Sequence, residues 1–225
     1  VAIGRSALAT DTLGKKSVAI GNNTLNAQNF TTATDSYNTA VGHNAGYAVT
    51  TGTLNTLIGG LAGDALNTAN SNVAIGYSAL SSDTKGDNSV AIGENALLTQ
   101  NFTSSTDSYN VAVGSNAGRA VTTGVQNTLI GALAGDALNT GVENVSLGYL
   151  SLTTDTKGSY STAIGTFALA AQNFTTATNT YNTGVGYDAG SAITTGTLNT
   201  LIGGNAGNAL TDTDFNVAVG SSALT

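Results

Sequence analysis

Asn88-Ser89-Val90-Ala91-Ile92-Gly93 decides the fold. Its last four residues are a β-branched residue, a small one, an aliphatic and glycine. The same tetrad occurs as Val1-Ala2-Ile3-Gly4, Val18-Ala19-Ile20-Gly21 and Val217-Ala218-Val219-Gly220, and thirteen times in all. Its glycines fall at 4, 21, 42, 59, 76, 93, 114, 131, 148, 165, 186, 203 and 220, so the spacings run 17, 21, 17, 17 three times over. The chain is therefore three 72-residue blocks of four turns, about 4–75, 76–147 and 148–219. A fixed short period marks a repeat protein whose units stack on their neighbours. Residues 1–225 read as one β-solenoid segment. The segment opens inside a strand at Val1 and closes just after the thirteenth tetrad, so it is expected to be a slice of a longer fibre.

Within the tetrad, side chains alternate between two faces. The residue before each glycine is always aliphatic, and the one two places earlier is always Val or Thr. Hydrophobic burial predicts that these bulky rows, Val18, Ile20, Val41, Ile58, Val73, Ile75, Val90, Ile92, Val111, Val113, Ile130, Val145, Ile164 and Ile202, form the dry interior. The residue between them is small in ten turns, the exceptions being Leu57, Leu129 and Leu201. A flat apolar face in water favours association. Ala19, Ala40, Ala74, Ala91, Ala112, Ala163 and Ala218 are thus the expected chain–chain face, and an Arg at position 91 is expected to disrupt association.

The residue preceding the tetrad is Asn or Ser in every turn that includes it, from Ser17, Asn38, Asn55 and Asn72 to Asn216. Short polar side chains of this kind bond backbone groups at corners and stack as ladders. After the glycine come two variable residues, usually a small one, then Leu or Gly. This pattern predicts a second short strand or bend, with Leu8, Leu25, Leu80, Leu97, Leu152, Leu169 and Leu224 closing the other side of the interior. A single turn buries two or three aliphatic side chains at roughly 1.5–3 kcal/mol each. Ordering its backbone costs about 1–2 kcal/mol per residue. Order must therefore come from stacking on neighbouring turns or chains.

The composition removes several function classes. Six Lys plus Arg against a net charge of -7 leave no basic stripe for nucleic acid. No apolar run approaches the roughly 20 residues of a membrane span. There is no cysteine for a disulfide framework. His43, the one histidine, is replaced by Ser115 and Tyr187 in the other blocks. The Ser and Thr residues have no base and orienting acid beside them, and no phosphate-cradling G-x-x-x-x-G-K-[ST] loop occurs. Asp83-Thr84-Lys85-Gly86-Asp87 and Asp155-Thr156-Lys157-Gly158 are turn chemistry without a calcium-binding nonapeptide. The chain is expected not to be an enzyme and to hold no cofactor or metal.

Asn88-Ser89-Val90-Ala91-Ile92-Gly93 and Lys16-Ser17-Val18-Ala19-Ile20-Gly21 resemble the head repeat of YadA-like trimeric autotransporter adhesins. The resemblance implies an all-β, left-handed parallel β-roll with two short strands per turn, here 13 turns, and a parallel homotrimer. The turns are longer than those of the adhesin heads. Asn199-Thr200-Leu201-Ile202-Gly203 and Asn38-Thr39-Ala40-Val41-Gly42-His43-Asn44-Ala45-Gly46-Tyr47 also resemble repeat arrays of bacteriophage tail fibres.

Each block has one 21-residue turn with a longer loop, Gln28 to Tyr37, Gln100 to Tyr109 and Gln172 to Tyr181. Two readings stand for its aromatic residues. Phe30, Tyr37, Phe102, Tyr109, Phe174 and Tyr181 form an outward row touching a glycan or partner, or each Phe folds back and seals an adjacent turn. Asn29, Asn101 and Asn173 lie in N-x-T sequons, relevant only in a secretory host. The functional expectation is a structural shaft at an extracellular or virion surface, most of all a phage tail fibre, whose tip outside this segment meets a cell-surface glycan or receptor. The alternatives are a bacterial trimeric adhesin or extracellular filament, or an ice- or glycan-binding solenoid.

Overall fold

The computed structural model describes all residues, Val1–Thr225. The chain is all-β, has no helix, and winds as a parallel β-solenoid of thirteen turns. It comprises two compact units, Val1–Asn110 and Val111–Thr225.

In the first unit, Ala2–Ile3, Val18–Ile20, Thr39–Val41, Thr56–Ile58, Val73–Ile75 and Val90–Ile92 pair in parallel, one strand per turn. Equivalent residues lie side by side: Val18 beside Thr39, Thr39 beside Thr56, Thr56 beside Val73, Val73 beside Val90. The second unit repeats this with seven strands from Val111–Val113 to Val217–Val219. There too every rung matches its neighbour position for position. The opposite side of each coil is built mainly of bends. Two-stranded patches occur only where a long loop returns, pairing Gly14–Lys15 with Thr34–Asp35, Gly86–Asp87 with Thr106–Asp107, and Gly158–Ser159 with Thr178–Asn179.

The tetrad glycine is required twice over. At Gly76 φ is +136°, and a Cβ there would lie 2.5 Å from the carbonyl oxygen of Gly93, one rung on. Only glycine combines that backbone with such close approach. Other corners use left-handed residues that are not glycine, such as Leu80 (φ 53°) and Leu97 (φ 49°). Such a conformation costs roughly 1–2 kcal/mol per residue, and here burial of the same leucine offsets it, because both side chains are fully enclosed.

The interior is the reverse of the sequence expectation. Ala19, Ala40, Ala74 and Ala91 in the first unit, and Ala112, Ala163 and Ala218 in the second, point into the coil and are buried, so they form no chain–chain face. The bulky rows are outside: Val18, Ile20, Val41, Ile58, Val73, Ile75, Val90 and Ile92 in one unit, Val111, Val113, Ile130, Val145, Ile164 and Ile202 in the other, are all half-buried or exposed. The reason is volume. Opposite the strands the bend already delivers a small residue, alanine or Ser151, with either Leu next to it or an aliphatic residue four places after it, such as Ala79 with Leu80 or Ala62 with Leu66, all without exposed area. A Val and an Ile from the strand would not fit beside them, because interiors pack at crystal density.

Leucine at a strand centre is matched by glycine in the bend of its own turn and of the turn before. Where the strand centre carries leucine, as at Leu57, Leu129 and Leu201, the bend carries glycine at Gly63, Gly135 and Gly207. A Cβ on Gly63 would meet Leu57 Cδ2 at 2.8 Å. One rung earlier, a Cβ on Gly46 would meet Leu57 Cδ1 at 2.7 Å and Leu25 Cδ2 at 2.9 Å.

Asn and Ser before the tetrad share the inward face with the alanines. In the first unit Asn38, Asn55 and Asn72 form a buried ladder. Each side-chain oxygen accepts the backbone N–H of the equivalent residue in the next rung: Asn55 at 2.9 Å, Asn72 at 3.0 Å and Ser89 at 2.8 Å. Each side-chain amide donates to a carbonyl across the coil, on Gly52, Ala69 and Gly86, at 2.8 Å. The second unit repeats the ladder at Asn127, Asn144 and Ser161 and at Asn182, Asn199 and Asn216.

Candidate association face

The outward side of each sheet presents two parallel columns, one Val or Thr and one Ile, Val or Leu. Strand propensity puts β-branched residues there, and the full interior keeps them there. Away from the end rungs, exposure reaches 44% at Leu147 and 40% at Ile202. Of 21 large hydrophobic residues exposed on the chain, all but Leu13, Tyr47 and Leu224 lie on these columns or on the positions that flank the strands. The opposite side carries Thr, Asn and Asp, tied by contacts such as Thr50 to Asn67 at 2.6 Å and Thr84 to Asn101 at 3.1 Å.

Two rims border the face, one two residues before the β-branched position and one just after the glycine. Tyr37, Tyr109 and Tyr181 occupy the first rim and are about half exposed. Phe30, Phe102 and Phe174 do not join them. They are 5–6% exposed, which corrects the outward-row reading for the phenylalanines and matches the sealing one. Phe102 covers Gly86, where a Cβ would come within 2.8 Å of the ring. A phenyl ring beside a glycine gap gains more by burial than by display. Sequence reasoning missed Tyr149, Tyr160, Phe167 and Tyr187. In the second unit Tyr160 stacks on Tyr181 with centroids 5.2 Å apart. On the other rim Phe167 meets Tyr149 and Tyr187 edge-on at 5.9 and 6.2 Å. Their position immediately beside the strands was the available signal.

Charge on the first rim differs between the two units. In the first unit Lys16 donates to Asp35 at 2.8 Å and to the hydroxyl of Tyr37 at 2.7 Å, and these hydrogen bonds push its pKa well above the ordinary lysine range. In the second unit the charge of Glu143, with smaller contributions from burial and Tyr181, raises the pKa of the Tyr160 hydroxyl.

The long loops are anchored by a buried polar knot in each block. Gln100 donates to Asp83 Oδ2 at 2.6 Å and to Ser89 Oγ at 2.8 Å, and accepts from Asn110 at 2.8 Å. Asp83 Oδ1 takes the N–H groups of Gly86 and Phe102. Gln172, Asp155, Ser161 and Asn182 repeat this in the second unit. These carboxylates are used up by the fold, and no group of three His, Cys, Asp or Glu residues is placed to hold a metal ion. His43 lies exposed. No helix is long and apolar enough to cross a membrane.

Fold and face together define a parallel β-solenoid with a dry, volume-matched interior and one apolar outer side. The family model described as YadA head domain repeat (2 copies) matches residues 1–24, 73–96 and 157–178. Those three stretches, just under a third of the chain, carry the YadA-like head repeat that the Ser-Val-Ala-Ile-Gly motif resembles. No curated protein and no solved structure matches the chain.

Proposed function

We propose that this chain is a structural, adhesin-like element of a surface fibre that assembles as a parallel homotrimer through its Val/Ile face. The observation that carries the reading is that outer side: within each unit it is uncharged, with an unbroken aliphatic column beside a column of Val and Thr. Its area in water would favour association, and every rung of an identical chain offers the same columns. The YadA-like repeats support the trimeric state and an extracellular or surface location. The role is scaffolding and attachment rather than catalysis. Within that role we favour the shaft of a phage tail fibre, on the Asn-Thr-x-x-Gly arrays, over a bacterial adhesin. Glycan or receptor contact belongs to a tip outside this segment.

Light scattering on the purified chain tests the assembly. The mass of three chains is expected, and Ile75→Arg should reduce it to one while leaving the β-type circular dichroism intact. A single-chain mass for the unmodified protein would end the proposal. Sequencing the gene on either side separates the finer readings, by a virion-attachment domain or a membrane anchor.

A further inference from the structure

Five Asn-x-Ser/Thr sequons occur in the chain, at Asn22, Asn29, Asn101, Asn144 and Asn173. Such a tripeptide accepts a sugar where it lies at an accessible surface, and the coil sorts the five. Asn144 and Ser146 are both fully buried. The Asn144 amide donates to the Gly158 carbonyl at 2.9 Å, and the Ser146 hydroxyl to that of Ser151 at 2.9 Å. At Asn22 the required hydroxyl is taken in the same way, since Thr24 is buried and donates to the Gly42 carbonyl at 2.7 Å. Asn29, Asn101 and Asn173 are different. Each begins Asn-Phe-Thr, and in each the central phenylalanine is enclosed while the asparagine and the threonine, Thr31, Thr103 or Thr175, are exposed.

The knot that seals each long loop creates this presentation. Phe102 is drawn inward beside Gly86, and its N–H donates to Asp83 Oδ1 at 3.1 Å. Asp155 holds Phe174 in the same way. With the ring turned in, its two neighbours are left on the outside. The asparagine is also oriented. Its Oδ1 accepts the hydroxyl of the threonine one rung before: Thr12 on Asn29 at 3.3 Å, Thr84 on Asn101 at 3.1 Å, Thr156 on Asn173 at 3.3 Å. The oxygen is thus occupied, while Nδ2 stays without a hydrogen bond on an exposed side chain, as does the threonine hydroxyl two residues on. The chain contains its own controls. Asn67 and Asn139 hold the equivalent ladder position and accept from Thr50 and Thr122 at 2.6 and 2.7 Å. Two residues on, where a hydroxyl is needed, they have Ala69 and Gly141.

We propose that Asn29, Asn101 and Asn173 are acceptor sites for an N-linked hexose, transferred from a sugar nucleotide by a glycosyltransferase that acts on the folded chain. In the transfer the donor's C1–O bond to the diphosphate breaks and a C1–Nδ2 bond forms. The nucleoside diphosphate leaves with the bonding electron pair, and the amide proton passes to a base of the transferase. Acting on the finished coil, such an enzyme needs no secretory compartment. In the first unit Asn29 and Asn101 are four rungs apart. At 4.7–4.9 Å between neighbouring strands that is about 19 Å, so a sugar at one site does not obstruct the other. The sites lie on the polar side with Thr50 and Asn67, not on the Val/Ile columns. The modification therefore leaves the association face clear and does not rest on the trimer proposed above.

The test uses the full purified chain, a soluble asparagine glycosyltransferase and UDP-glucose, with intact mass and peptide mapping as readouts. The expected product carries three hexoses, at Asn29, Asn101 and Asn173, and none at Asn22, Asn67, Asn139 or Asn144. Thr103→Ala should lose the hexose at Asn101 alone, and Thr103→Ser should keep it. Both changes fall on an exposed side chain, so the circular dichroism of each variant should match that of the unmodified chain. No hexose on the folded chain would overturn the proposal. Hexose at Asn22 or Asn144 would overturn it as well, because the fold would then not select the sites. Light scattering should give the same number of chains per particle before and after transfer. A fall on transfer would overturn the placement of the sites outside the association face. A one-chain mass both before and after would end the trimer and leave these sites standing.

Discussion

The two faces of one short strand behave oppositely. In Val90–Ile92 the centre, Ala91, is sealed inside the coil, while the larger and more hydrophobic Val90 and Ile92 stand at the surface. Hydrophobicity alone would place them the other way round. The difference teaches that in a narrow solenoid interior volume outranks apolar area: what fits goes in, and the surplus hydrophobe becomes a surface for other chains. The sharpest way to break this comparison is a pair of matched substitutions. Ala91→Arg puts an unpaired charge in a space sized for a methyl group and should cost more than about 4 kcal/mol, unfolding the surrounding rungs. Ile92→Arg should leave the melting temperature of the isolated chain nearly unchanged and remove association. Thermal melts with light scattering on both variants check this. Similar melting losses for the two would abolish the distinction between faces.

The next effect concerns the polar ladder that shares the inner face. Asn72→Ala leaves the N–H of Ser89 and the carbonyl of Gly86 without their partners at 2.8 Å. Each buried group left unsatisfied costs about 1–3 kcal/mol, so a loss of roughly 2–6 kcal/mol is expected by urea unfolding. The same change at Ser71, on the rim, should be within about 0.5 kcal/mol of neutral, as for most surface positions.

Much of this was legible in the sequence, and the part that was not has a physical cause. The period, the strands, the asparagine corner and the inward Leu25, Leu80 and Leu97 all follow from spacing and residue type. The orientation of the strands did not, because a three-residue strand offers period two without saying which face is enclosed. Two clues were present. Asn55 and Leu57 are two apart and so share a face, and a regular asparagine ladder belongs where its amides meet carbonyls rather than water. Leucine also replaces alanine at position 57 only where glycine stands at 63, a size exchange that occurs between residues in contact. The tyrosines were found as a loop row, but not as the border of a face. Tyr149, Tyr160, Phe167 and Tyr187 belong to one block, so the pattern common to all turns does not contain them.

That size exchange sharpens the comparison further as a double-mutant cycle. Gly46→Leu introduces a side chain whose Cβ would already lie 2.7 Å from Leu57 Cδ1, although leucine is native to the equivalent bend position at Leu25 and Leu80 with φ near +50°. Leu57→Ala alone empties space and should cost about 2–5 kcal/mol. The double variant should recover part of that loss. A favourable coupling of about 0.5–3 kcal/mol is expected for residues sharing one cavity, read from urea midpoints of the four proteins. Simple additivity would mean the two positions do not trade volume.

The smallest expected effect tests a local flaw at the border between inside and outside. Asp64 follows the buried pair Ala62–Gly63, is half-buried, and has a carboxylate oxygen, Oδ1, without a hydrogen-bond partner. The equivalent oxygen of Asp136 in the second unit accepts from Thr153, and the third block carries Asn208. Burial is the main cause of the raised pKa of Asp64, partly offset by its own and the Ala65 backbone N–H. The sign follows from proton linkage. Between the ordinary aspartate pKa, about 3.9, and its higher folded value, the folded chain binds more protons than the unfolded one, so this residue makes stability fall as pH rises. Above the folded value the full penalty of a poorly solvated charge is present. Asp64→Asn removes the charge and keeps the shape that the third block already uses. It should raise the melting temperature slightly at pH 7 and confer no gain well below the ordinary aspartate pKa of about 3.9, where the native carboxyl is protonated in both states. Calorimetry of the two proteins across that range would decide. An equal gain at both ends would assign the effect to the amide's new hydrogen bonds rather than to the buried charge.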